Sequence, residues 1–168
     1  LDLGGYGSMK KKEETARQAD SLYGGKVRVA FDPKGRYRVD PKYGGPEYES
    51  LAALGVNLGL DDLIAICKSN EMSNYLGLDT VSMGATIAWA MECFEHGIIT
   101  LDDTDGFPLH FHDADGVVKL IEMIAYRRGV GDLLAEGSQR AARQIGRGSE
   151  AYLTTVKGME MAMHDPRH

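Results

Sequence analysis

Residues 79–97 read Asp-Thr-Val-Ser-Met-Gly-Ala-Thr-Ile-Ala-Trp-Ala-Met-Glu-Cys-Phe-Glu-His-Gly, and their reading decides the fold. From Val81 to Phe94 there is almost no polar face: Gly84, Ala85, Ala88 and Ala90 stand beside Ile87, Trp89 and Met91. A helix that is apolar nearly all round is buried on most sides, and its small residues let a neighbour approach closely. Asp79 or Thr80 starts it. The pattern predicts a central helix with other helices packed around it.

The flanking segments supply those helices. Upstream, Pro46 suits a first helical turn, where its missing N–H costs nothing, and Gly55 ends that helix. Asp61 or Asp62 caps the next one, which runs to about Leu76 with Gly77 as its stop. Downstream, Ile98 to His112 reads as a loop with acidic turn residues. Asp113 then caps an amphipathic helix with Val117, Leu120, Ile121, Ile124 and Ala125 at core spacing and Gly129 at its end. A further helix is expected from about Asp132 to Ile145, with Leu134, Ala141 and Ile145 inward and Gly146 closing it. Tyr152 to Met163 reads as extended, Met159, Met161 and Met163 alternating with Glu160 and Ala162.

The N-terminal part differs. Met9 to Asp20 reads as a solvated helix or arm, rich in Lys, Glu, Gln and Ala. In Lys26 to Asp40, Val27, Val29 and Phe31 alternate with polar residues, Asp32-Pro33-Lys34-Gly35 has turn chemistry, and Tyr37 and Val39 alternate again, so a β-hairpin is expected. Its other face carries Lys26, Arg28, Arg36 and Arg38, read as a solvated strand face. The expected fold class is therefore all-α, a multihelical domain over residues 41–168 preceded by an arm and a short β-hairpin over residues 1–40.

Composition narrows the function. The 168 residues carry 19 Lys and Arg against 25 Asp and Glu, a net charge of -6, which opposes nucleic-acid binding, since that requires a basic face. No apolar run is long enough to cross a bilayer and Leu1 to Lys12 lacks the apolar centre of a signal peptide, so a cytoplasmic location is expected. Cys67 and Cys93 each sit in a helical pattern and read as buried thiols. The chain ends look cut, as in a piece of a longer protein.

Gly45-Pro46-Glu47-Tyr48-Glu49-Ser50-Leu51-Ala52-Ala53-Leu54-Gly55 and Gly77-Leu78-Asp79-Thr80-Val81-Ser82 together resemble the tungsten-dependent aldehyde:ferredoxin oxidoreductase family. The resemblance resumes, in the same order, in Leu133-Leu134-Ala135-Glu136-Gly137, Val156-Lys157-Gly158-Met159-Glu160 and His164-Asp165-Pro166-Arg167. It implies an enzyme that oxidises aldehydes to carboxylic acids on a tungsten (or molybdenum) bis-pterin and passes the electrons to ferredoxin. The chain would be its helical portion, catalytically incomplete without the remaining domains. Pairing with a second copy stays open. A stand-alone, non-catalytic helical binding module derived from the same fold is the alternative.

Each candidate residue also has a plainer reading. By position, Glu49 is a first-turn acid favoured by the helix dipole; by resemblance it lies beside the metal, where a carboxyl group in a dry pocket can act as acid or base. Asp79 is by position an N-cap. The resemblance places it in a pterin-binding motif with Asn74, Gly77, Leu78 and Thr80, where a carboxylate can accept from a pterin amino group and ring N–H together. Asn74 stands where the family usually has an acid. His164 reads locally as a turn histidine and by resemblance lines the substrate side of the metal; Arg167 would reach a cofactor phosphate. Glu92, Glu95 and His96 read as the polar end of the central helix and are assigned no metal. The family's 4Fe-4S cluster is expected to lack ligands here, because the region around Tyr23 to Ala30 contains no cysteine.

Overall fold

The computed structural model describes residues 36–163. Among them are six α-helices: α1 Tyr48–Leu54, α2 Leu63–Leu76, α3 Thr80–Glu95, α4 Ala114–Ala125, α5 Val130–Leu134 and α6 Ser138–Ile145. Strands β1 (Thr155–Val156) and β2 (Met159–Glu160) form an antiparallel pair, with Thr155 opposite Glu160 and Val156 opposite Met159. Lys157 and Gly158 make their turn with φ values of +54° and +84°, the left-handed pair that a tight hairpin loop demands.

The central helix is α3, as its composition requires. Met83, Gly84, Thr86, Ile87, Trp89, Ala90, Met91 and Cys93 are all buried. Gly84 is where α1 packs closely against α3. A Cβ there would lie 2.5 Å from the Ala53 carbonyl oxygen and 2.9 Å from the Ala53 Cβ, so only hydrogen lets α1 and α3 meet at that distance. α4 contributes Val117, Leu120, Ile121 and Ile124 to the same core. Trp89 extends its indole to the far side of α3, where Nε1 donates to the Ser149 carbonyl at 3.0 Å.

Helix starts follow local chemistry. Asp62 caps α2 through the amides of Ile64 and Ala65, and Asp113 caps α4 through that of Gly116. For α1 the cap is Glu47, and the buried Pro46 lies just outside the helix. Glu is an uncommon cap, which hid this start.

Two expectations need correction. The single helix from Asp132 to Ile145 is two helices. Gly137, with φ of +82°, breaks the chain between α5 and α6 and turns α6 to a new direction. In α5, Gly131 packs so tightly on the end of α4 that a Cβ would lie 2.2 Å from the Met123 carbonyl. α4 itself ends at Ala125, and Gly129 starts α5 instead of stopping α4.

The N-terminal hairpin is also not supported. Its larger part, with Lys26, Arg28 and the turn, lies outside the described residues, as does the expected Met9–Asp20 helix. Residues 36–40 carry no strand. Their bonding groups are engaged elsewhere: Arg36 pairs with Asp62 and with Asp115 at 3.0 Å, Val39 packs on Cys67 and Leu63, and the Asp40 amide donates to Glu71 at 3.0 Å. The hairpin found among the described residues is at the C-terminal side, where the sequence reads as extended.

Candidate functional site

Glu47 orders the first turn of α1 by accepting from the amides of Glu49 at 3.1 Å and Ser50 at 2.8 Å. Glu49, half-buried, follows. Its Oε2 accepts a hydrogen bond from the amide of Met163 at 2.7 Å, across 114 positions of sequence. Met163 immediately precedes His164. The residue chosen at one end of the chain thus holds the backbone that leads into the residue chosen at the other. His164 and Arg167 themselves lie outside the described residues.

A second junction lies one residue further along each helix start. The hydroxyls of Ser50 and Thr80 are 2.7 Å apart. Further along, Ala53 and Gly84 touch, so the contacts advance in the same direction on both helices. α1 and α3 are therefore parallel neighbours with their N-termini side by side. Both present the positive end of aligned peptide dipoles, which favours carboxylates there.

Asp79 occupies the start of α3. Its Oδ2 accepts from the Ser82 amide at 2.7 Å, while Oδ1 has no hydrogen bond among the described residues. The side chain is exposed and lines a cavity of about 140 Å³ with Leu78, Ser82, Thr86, Ala135 and Gly137. Ala135 and Gly137 come from Leu133-Leu134-Ala135-Glu136-Gly137, so segments distant in sequence converge on Asp79. Gly77 ends α2 with φ of +72°. That conformation accounts for the glycine without any ligand. Asn74 is exposed in the last turn of α2, and its Nδ2 donates back to the Asn70 carbonyl at 2.8 Å.

Glu160 was not singled out from the sequence. Its Oε1 accepts from Thr86 Oγ at 3.1 Å, the Ser138 amide at 2.9 Å and Ser138 Oγ at 2.8 Å. In the sequence it stands only as the last residue of Val156-Lys157-Gly158-Met159-Glu160, and nothing local names the buried Thr86 and Ser138 as its partners. A larger cavity of about 340 Å³ adjoins Glu160, lined by Ala85, Ala88, Trp89, Tyr152, Met161 and Met163. Met163 places one edge of that cavity next to Glu49.

Of the other candidates, Glu92 lines the same 340 Å³ cavity. Glu92, Glu95 and His96 are exposed, and the His96 ring stacks on Tyr152 with centroids 4.9 Å apart. Among the described residues no group of three or more His, Cys, Asp or Glu is gathered to hold a metal ion. Cys67 and Cys93 are buried free thiols. Burial pushes Cys67 up to about 12; it pushes Cys93 up to about 11, with Glu92 and Glu150 adding to the effect. Cys67 and Cys93 lie in separate core clusters and do not come together as cluster ligands.

The family described as aldehyde ferredoxin oxidoreductase, domains 2 & 3, matches residues 27–168. The chain belongs to this family of enzymes. Two tungsten-containing aldehyde ferredoxin oxidoreductases are similar to it. That of Pyrococcus furiosus is 46% identical over 124 residues, and that of Thermococcus kodakarensis 44% over 124 residues. Each alignment covers 73% of this chain and 20% of the relative. The chain therefore spans about a fifth of the length of these oxidoreductases. Among solved structures, the active site complex BamBC of benzoyl coenzyme A reductase, in complex with 1,5 dienoyl-CoA, is similar at a TM-score of 0.57 and 30% identity, over 67% of this chain and 17% of that one. No helix of the described residues is long and apolar enough to cross a membrane.

Proposed function

We propose that this chain is the helical portion of a tungsten or molybdenum bis-pterin enzyme that oxidises aldehydes to carboxylic acids and delivers the electrons to ferredoxin. The observation that carries this reading is the 2.7 Å bond from the Met163 amide to Glu49, which brings the approach to His164 onto the carboxylate that the family resemblance selects.

Converting an aldehyde to an acid adds the elements of water and releases protons with an electron pair. When bound, the metal–pterin group supplies the redox centre for that pair. Glu49 takes up a proton from the adding water. Its half-buried position and the Met163 amide hold the carboxylate in place, so little reorganisation accompanies the transfer. His164 shares the substrate side and donates to the carbonyl oxygen.

Asp79 fits a pterin edge in one respect that the geometry supports: Oδ2 is committed to the helix, whereas Oδ1 is available to a ligand donor beside the 140 Å³ cavity. Leu78 and Thr80 flank it, Gly77 and Asn74 shape the preceding turn, and Arg167 reaches a cofactor phosphate. The cysteines that hold the family's 4Fe-4S cluster are missing from the corresponding region of this chain, around Tyr23 to Ala30. The isolated chain is accordingly inactive.

Glu49→Gln in the whole enzyme tests the assignment. Aldehyde turnover is expected to fall by roughly 10²- to 10⁴-fold, the usual scale of a lost acid–base group, with tungsten and pterin content unchanged. Turnover equal to that of the parent would reject the proton role. Whole protein purified without metal or pterin would leave a non-catalytic binding module.

A further inference from the structure

We propose that Glu160 is a positioning residue, a clamp that holds the Met161–Met163 segment so that the Met163 amide meets Glu49. The inference rests on the reading of Glu49 given above.

The β1–β2 hairpin has only two residue pairs, too few to be stable alone. Something outside it must fasten it to the helices. Glu160 does this from β2: one carboxylate oxygen accepts three donors, one on α3 (Thr86) and two on the first residue of α6 (Ser138). Thr86 and Ser138 are both 2% exposed, so without that oxygen their donors would be left unpaired in the interior. α6 has no cap of its own, because Gly137 at its start has no side chain to offer. Glu160 supplies the missing acceptor, and a negative charge at the helix start is favourable there.

From Glu160 the chain reaches Met163 in three residues, a span of about 10 Å at full extension. Over that span the one backbone tie among the described residues is the 3.3 Å bond from the Met161 amide to the Thr154 carbonyl, back within the same unit. The next bond to a helix is Met163 to Glu49. The position of that bond therefore depends on where Glu160 anchors the strand. The arrangement couples α3, α6 and the start of α1 through one carboxylate.

The test compares Glu160→Ala and Glu160→Gln in the whole enzyme, reading hydrogen exchange of the Met163 amide and steady-state kinetics with an aldehyde. Glu160→Ala is expected to speed exchange at Met163 by roughly tenfold or more while amides within α1 keep their protection. It is also expected to lower kcat by roughly tenfold or more with little change in KM, since misplaced catalytic groups cost rate. Glu160→Gln keeps an oxygen acceptor and should restore most of both. Unchanged exchange at Met163 in Glu160→Ala overturns the clamp. If that variant does not fold, Glu160→Asp, which draws the carboxylate back by one methylene, takes its place, and parent-like exchange overturns the proposal equally. Faster exchange with parent kcat would support the clamp and count against the role of Glu49, which Glu49→Gln tests separately.

Discussion

The two oxygens of Asp79 have different duties, which allows its local and its proposed roles to be separated. Asn caps a helix about as well as Asp, whereas Ala costs about 1 kcal/mol at such a position. Asp79→Asn in the whole enzyme should therefore keep the unfolding midpoint close to that of the parent and lose bound pterin, because the anionic acceptor is gone. Asp79→Ala should lose both. Pterin assay beside thermal unfolding checks this, and full pterin content in Asp79→Asn would reduce Asp79 to its cap. The cysteines give a second residue-scale prediction. With pKa values raised to about 12 and about 11 from a reference of 9.0, Cys67 and Cys93 stay protonated at neutral pH. A thiol reagent should leave both unmodified until the protein is denatured. Because the folded state holds these protons more tightly, their contribution to stability is complete below about pH 9 and declines above it.

Helix pairing depends on one missing side chain. Gly84→Ala would raise helix propensity by about 1 kcal/mol, yet the new methyl would lie 2.5 Å from the Ala53 carbonyl. Overpacking of that kind costs about 1–3 kcal/mol, so the variant is expected to be less stable, and Gly84→Leu less stable still. Denaturant unfolding of the whole enzyme measures it; a stabilised Gly84→Ala would mean that α1 and α3 separate freely. The small residues of α3 announced this contact in the sequence, although nothing local named Ala53 as the partner. The break at Gly137 was not legible in the same way. Leu134, Ala141 and Ile145 fit one helical period well enough, and only the packing of α5 on α4 and of α6 beside Glu160 forces the turn between them.

Across the whole molecule, the loop from Ile98 to His112 is tied to the end of α6 by the pair of Asp103 and Arg147, 2.5 Å apart. The Arg147 guanidinium and the Thr100 amide hold the Asp103 carboxyl down at about 2. Its stabilising effect is present above the ordinary carboxylate range and is lost as pH falls from about 4 towards about 2. Arg147→Ala should lower stability modestly above about pH 4 and leave it unchanged near pH 2, which flattens the acid limb of a stability–pH curve in that interval. A curve of unchanged shape would mean that the pair contributes nothing. The sequence by itself determined the helical class, the central place of α3, the cap at Asp113, helix starts at Asp61 or Asp62 and at Asp79 or Thr80, and the family, because composition, periodicity and short motifs are local properties. Tertiary structure alone decided that Glu49 meets Met163, that Glu160 fastens a two-residue strand to two helices, and that residues 36–40 lie against α2 instead of forming a strand. Those contacts join groups far apart in sequence, and a hydrogen bond forms only where folding has already brought its two ends together.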